Sequence, residues 1–102
     1  MAKLVVLYKT PADPAAFDRY YVDTHVPIAR QLPGLSRYEV SAGAPVSPGG
    51  ASAVYLVATL EFASLAAVQA ALASPEGQAA AGDLANFAEA GVELLMFDTK
   101  EV

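Results

Sequence analysis

The chain has 102 residues, 55% of them hydrophobic and only 17% charged, with a formal net charge of −5. That length suits one domain, residues 1–102, and the scarcity of charge means either an unusually apolar surface or one partly covered by a partner. The six basic residues are scattered along an acidic chain, which argues against nucleic acid and against anionic membrane as partners. There is no cysteine, so disulfides, thiolate catalysis and cysteine metal sites are excluded. The run Leu4 to Tyr8 is too short for a signal-peptide core or a bilayer span, and the protein is read as cytoplasmic.

Lys3 to Lys9 is a short β-branched apolar run and predicts a strand. Asp13 followed by Pro14 reads as an N-cap and first helical position. Phe17, Tyr20, Tyr21, Thr24 and Ile28 then fall on one helical face, and Pro33-Gly34 ends the helix. A second strand is expected from about Leu35 to Ala42, alternating in polarity as an edge strand does. Residues 43–52 read as a loop rich in Gly, Pro and Ser.

Ala53 to Phe62 is a nearly continuous apolar strand. Ser64 caps a second helix, and Ser74-Pro75 restarts a helical turn that Gly82 is expected to close. Asp83 to Phe87 then reads as a short irregular or 3₁₀ segment before a last strand, Gly91 to Phe97. The order β-α-β-β-α-β with right-handed crossovers is the α+β ferredoxin-like plan, a four-stranded antiparallel sheet with both helices on one face and strands one and three central.

Consecutive apolar residues in the first, third and last strands make both sheet faces apolar, since neighbouring side chains point to opposite sides. Two helices cover one face. The simplest cover for the other is a second copy of the same sheet, which predicts a homodimer through the sheet face; the alternative is that loop 43–52 folds over it, although its ten small residues are poor cover.

His25 is the single histidine, and it sits four residues after Tyr21 on one helical face. Pro27 cannot donate to the carbonyl of Asp23, so a bend is expected here, with freed carbonyls available to anchor one imidazole nitrogen. The other nitrogen is then a candidate general base, with a satisfied structural histidine as the alternative. Tyr8, Tyr21, Tyr38 and Tyr55 are candidate hydroxyl donors to a cavity, and Asn86 and Phe87 candidate closers of its mouth. For each tyrosine a packing role, and for Asn86 a turn cap, is the alternative. Asp18, Asp23 and Glu89 are candidate acids, although a solvated helix face accounts for the first two. One histidine without cysteine argues against a transition-metal site and leaves an all-oxygen site as the alternative; no metal is expected, and with no nucleophile elbow, phosphate loop or dinucleotide fingerprint present no cofactor is expected.

The run Phe17-x-x-Tyr20-Tyr21-x-x-x-His25-x-Pro27-Ile28, then Leu32-Pro33-Gly34-Leu35-x-x-Tyr38, with Ser74-Pro75-Glu76-Gly77 and Asn86-Phe87 later, resembles the EthD family. The resemblance covers nearly the whole chain and implies a dimeric α+β barrel. That family is named for a member linked to bacterial degradation of fuel ethers and is loosely grouped with oxidoreductases. Relatives on this barrel include cofactor-free polyketide cyclases, lactone isomerases, quinone-forming monooxygenases and some haem proteins, so fold alone selects no reaction. His25 matches the family histidine, and Tyr21 stands where many members carry tryptophan. The resulting expectation is a small hydrophobic, aromatic or polyketide-like ligand between helix and sheet, with His25 moving a proton and a tyrosine assisting. The alternatives are a non-catalytic ligand-binding or accessory module for a partner oxidoreductase and, ranked last, a haem protein with His25 as axial ligand.

Overall fold

The structure, a computed structural model, describes all residues 1–102. Strand β1 (Ala2–Lys9) leads into helix α1 (Pro14–Tyr20), a π-helical segment (Tyr21–His25) and the short helix α2 (Val26–Ala29). Strand β2 (Arg37–Val40), a ribbon of β3 (Val46–Ser47) and β4 (Gly50–Ala51), and the long strand β5 (Val54–Phe62) follow. Helices α3 (Leu65–Ala73) and α4 (Pro75–Phe87) and strand β6 (Val92–Asp98) complete the chain. The main sheet has the order β2-β5-β1-β6, with every pair antiparallel, which is the ferredoxin-like arrangement with the two most apolar strands in the centre.

Register divides the side chains cleanly between two faces. Leu4, Val6 and Tyr8 of β1 stand beside Leu60, Ala58 and Leu56 of β5 on the helix-covered face. Leu4, Val6, Tyr8, Ala58 and Leu60 are all buried there. Val5 and Leu7 face the other way with Thr59 and Val57, and Leu95 joins them from β6. No helix covers this second face. Leu95 is 45% and Phe97 42% exposed, with Lys3 beside Phe97 and with Glu61, Arg37 and Glu39 farther across the same face. The segment 43–52, expected as a loop, contains the β3–β4 ribbon, and all of Val46–Ala51 is exposed, so it does not roof the sheet.

Local chemistry starts each helix. Asp13 Oδ1 accepts from the Ala16 N–H at 3.2 Å with Pro14 at the first helical position. Ser64 and Ser74 cap α3 and α4 through the Ala67 and Gly77 N–H groups. The restart at Ser74-Pro75 is as expected, but the stop at Gly82 is not: α4 continues as regular helix to Phe87. A lone glycine in a helix costs only ~0.5–1 kcal/mol relative to alanine, less than the burial of Phe87 beyond it returns, at roughly 1.5–3 kcal/mol. Strand β2 is also shorter than the expected span from 35 to 42.

Pro27 does not simply kink its helix. The segment before it widens into π-helix, and the Val26 N–H donates to the Tyr21 carbonyl five residues back. A wider turn advances the chain less per residue, which offsets the drift of an i, i+4 series. Phe17, Tyr21, His25 and Ala29 therefore all remain buried.

Two glycines of α4 are expected to respond oppositely to alanine. A Cβ on Gly77 would meet the Ala71 carbonyl oxygen at 2.1 Å and the Leu72 Cα at 2.6 Å, both backbone atoms that cannot step aside. Gly77→Ala should cost about 1–3 kcal/mol. A Cβ on Gly82 meets nothing within 4 Å, so Gly82→Ala should stabilise by about 0.5–1 kcal/mol. Urea unfolding of both variants checks the pair, and equal signs would contradict the geometry.

Candidate functional site

An apolar cavity of about 40 Å³ lies between the helices and the inner face of the sheet and opens to the outside at its mouth. Val6 and Tyr8 from β1, Tyr38 from β2 and Leu60 from β5 line it from the sheet side, and Tyr21 and His25 from the π-helical segment. No lysine, arginine, aspartate or glutamate lines it.

His25 is buried, and its Nδ1 lies 2.9 Å from Oδ2 of Asp83, itself 7% exposed. The other carboxylate oxygen, Oδ1, accepts from the Tyr20 hydroxyl at 2.6 Å and from Asn86 Nδ2 at 3.0 Å. Burial pushes the Asp83 carboxyl up, but hydrogen bonds from Tyr20, Asn86 and His25 outweigh it and hold the group below its ordinary 3.8. The imidazole anchor is thus a side chain on α4 and not a freed carbonyl at the helix irregularity, which corrects the sequence expectation. The Tyr21 carbonyl is taken by the Val26 N–H, and the Asp83 carboxylate is a stronger acceptor than a backbone carbonyl.

On the sheet side of His25, the Tyr21 and Tyr38 hydroxyls share a hydrogen bond of 2.5 Å. Tyr8 packs edge-on against Tyr21, with ring centroids 5.6 Å apart. Burial, and then the neighbouring Tyr38, pushes the Tyr21 hydroxyl well above its ordinary value. Burial does the same to Tyr8. These groups stay protonated donors across the working pH range.

The structure brings His25, Tyr8, Tyr21 and Tyr38 to one cavity. Tyr55 stands elsewhere: its hydroxyl donates to Asp18 at 2.8 Å and its ring packs on Phe17. Phe87 packs on His25, with ring centroids 4.7 Å apart, and together with Asn86 and Tyr20 it lines a separate surface hollow. Asp23 and Glu89 are exposed. The acid at this site is Asp83, which sequence reasoning missed because Gly82 was read as a helix stop. Continuing the helix puts Ala80, Asp83 and Phe87 on one buried face, and a carboxylate on that stripe is the signal that was there to find. No group of three or more His, Asp or Glu side chains is placed to hold a metal ion.

The tyrosine shifts set the alkaline stability. An unfolded chain ionises its tyrosines near 10.0, whereas folded Tyr8 and Tyr21 hold their protons to higher pH. The folded state therefore binds more protons above that point, and stability should fall as pH rises through about 10. In urea unfolding across that range Tyr21→Phe should show a shallower decline than the parent; an equal slope would mean that Tyr21 does not titrate differently on folding.

Comparisons with known proteins agree with this architecture. The EthD domain model matches residues 9–91. An uncharacterised 11.0 kDa protein encoded in the thcB–thcC intergenic region of Rhodococcus erythropolis is 45% identical over 103 residues, spanning 100% of this chain and 98% of that protein. The crystal structure of an ethyl tert-butyl ether d family protein from Bacillus halodurans superposes with a TM-score of 0.89 at 34% identity, covering 98% of this chain and 99% of the other. Weaker likenesses show the fold alone. SnoaB, a cofactor-independent oxygenase from Streptomyces nogalater, gives a TM-score of 0.67 at 19% identity over 99% and 94% of the two chains. A protein from Thermobifida fusca, described as dimeric and ferredoxin-like, gives 0.69 at 12% identity over 96% and 90%. With a family model spanning most of its length and relatives this similar end to end, the chain belongs to the EthD family.

Proposed function

We propose that the protein binds a small, neutral, hydrophobic molecule of aromatic or polyketide-like character in the inner cavity, and that His25 moves a proton on it. The observation that carries this reading is a buried imidazole, bonded to a carboxylate, in the wall of a cavity otherwise lined by hydrophobic side chains. Desolvating a carboxylate is costly unless it is bonded on several sides, as Asp83 is.

The cavity's chemistry narrows the ligand. With no cation in its wall, a carboxylate or phosphate ligand would be desolvated without compensation. A phenol or an enolisable ketone enters neutral, offers one weakly acidic proton and presents an oxygen to the Tyr21–Tyr38 hydroxyl pair. Removing that proton leaves an anion that the tyrosine donors stabilise, an opening step shared by isomerisation, cyclisation and direct oxidation. The likeness of fold to a cofactor-independent oxygenase is compatible with the last of these. The second reading is a non-catalytic module that holds such a ligand for a partner enzyme. It draws on the position of the Rhodococcus relative's gene between thcB and thcC, which sets it among other encoded proteins.

We read the working form as a homodimer through the outer sheet face. Val5, Leu7, Val57, Leu95 and Phe97 on that face support this, as does the dimeric description of structural neighbours. Val57→Glu or Leu95→Glu should produce slower-sedimenting single subunits, or aggregation. An unchanged particle size would remove the outer face as the interface.

Neutral phenols and enolisable ketones from a panel should raise the thermal midpoint, through a stabilisation of about 2.7 kcal/mol at a hundredfold excess over Kd; matched carboxylates should not. With a ligand that turns over, His25→Ala should retain binding and lose roughly 10²–10⁴-fold in rate. Full turnover by the variant would leave the binding-module reading.

A further inference from the structure

We infer that Asp83 is a positioning residue that holds His25 with its proton on Nδ1 and its Nε2 lone pair turned to the cavity, and that Tyr20 and Asn86 hold Asp83 in turn. The inference rests on the proton-transfer role proposed for His25 and gives that role a direction: the neutral imidazole enters as a base.

The hydrogen-bond inventory places a proton on Nδ1, so the neutral ring is the Nδ1–H tautomer. An ionised carboxylate only accepts, so the 2.9 Å contact between Asp83 Oδ2 and His25 Nδ1 needs its proton on the nitrogen. Asp83 Oδ1 is occupied by two donors from different elements, the Tyr20 hydroxyl of α1 and the Asn86 amide of α4 itself. Both keep the carboxylate ionised, and together they stop it rotating away from the ring. Nε2 has no hydrogen-bond partner, yet it is not sealed off: no buried side-chain nitrogen or oxygen of the chain is left unpartnered. The ring lines the cavity, so this nitrogen is the one a ligand meets.

The groups around the imidazole favour the same direction. Asp83 faces it from α4, and the neutral rings of Tyr21 and Phe87 flank it. Tyr8 and Tyr38 face the cavity from the sheet as neutral hydroxyls, and Arg30 acts on Tyr38. When Nε2 takes a proton, the imidazolium forms 2.9 Å from a carboxylate already in place, and no new charge has to be brought in. A second proton held on Asp83 would reverse the arrangement, and its three hydrogen bonds oppose that.

The test is nitrogen-15 NMR of the full chain. One histidine makes the ring signals unambiguous. Once the ring is neutral, the spectrum should show a protonated Nδ1 and a bare Nε2. A proton on Nε2, or two averaged signals, would overturn the inference, and this spectrum decides even if no variant folds. Asp83→Asn, with its fold checked by circular dichroism, should move the proton to Nε2 or average the pair; an unchanged spectrum would show that Asp83 does not set the tautomer. Tyr20→Phe and Asn86→Ala should each broaden the ring signals, and two unchanged spectra would remove them as supports. In any assay where His25→Ala loses turnover, Asp83→Asn should lose about 10²-fold or more while keeping binding. Because the spectrum needs no ligand, the two ideas fail separately. A wrong tautomer leaves His25 free to act as an acid, and full turnover by His25→Ala ends the catalytic role with the tautomer intact.

Discussion

The contact between Asp83 and His25 is the constraint around which the site is built. Two titratable groups, each nearly sealed from water, stand 2.9 Å apart. Such a pair gains little unless its remaining hydrogen-bonding capacity is met, since desolvation of the carboxylate charge costs several kcal/mol. Tyr20 and Asn86 meet that capacity on the carboxylate. The backbone is arranged to serve the pair. Helix α4 runs through Gly82 so that Asp83 and Asn86 share a face with Phe87, and the π-helical turn brings His25 to that face while Tyr21 points to the sheet. Either ordinary choice, a helix ended at glycine or a plain α-helix up to proline, would separate the partners.

Beside this polar pair the cavity is almost wholly apolar, and the contrast matters chemically. Low polarity strengthens each remaining electrostatic contact and raises the energy of any charge without a partner. Tyr8 and Tyr21 respond by retaining their protons, whereas Asp83 retains its charge because three donors surround it. Environments that push neighbouring groups in opposite directions separate donors from acceptors in one small space. The hydroxyls are fixed as donors, and the carboxylate is fixed as the acceptor behind the histidine.

Much of the fold was legible because it follows from periodicity. The apolar runs of β1 and β5 marked the central strands, and Asp13-Pro14, Ser64 and Ser74-Pro75 marked helix starts by mechanisms that act within a few residues. His25 and Tyr21 stood out for the same local reason. Asp83 did not, because its role depends on a partner 58 positions away and on a helix that continues past a local stop signal. Tyr55 shows the converse. It is a tyrosine on a central strand, but it sits beside the β1–β5 irregularity, and its hydroxyl is taken by Asp18. Alternation along a strand assigns a face only where the register is unbroken.

The two faces of the sheet are not independent. Val6 and Tyr8 line the cavity while Val5 and Leu7 point outward from the same strand, and Ala58 and Leu60 alternate with Val57 and Thr59 in β5. A strand's backbone fixes both sets together, so the flatness and twist that place Tyr8 beside Tyr21 are shared with the outer surface. Water against the outer apolar residues leaves the central strands supported from one side only. Cover on that side adds packing to the strands that form the cavity floor. The hydrophobic surplus in the composition and the geometry around His25 are in this sense one feature, because the strands that carry the floor of the site carry the uncovered apolar surface on their other side.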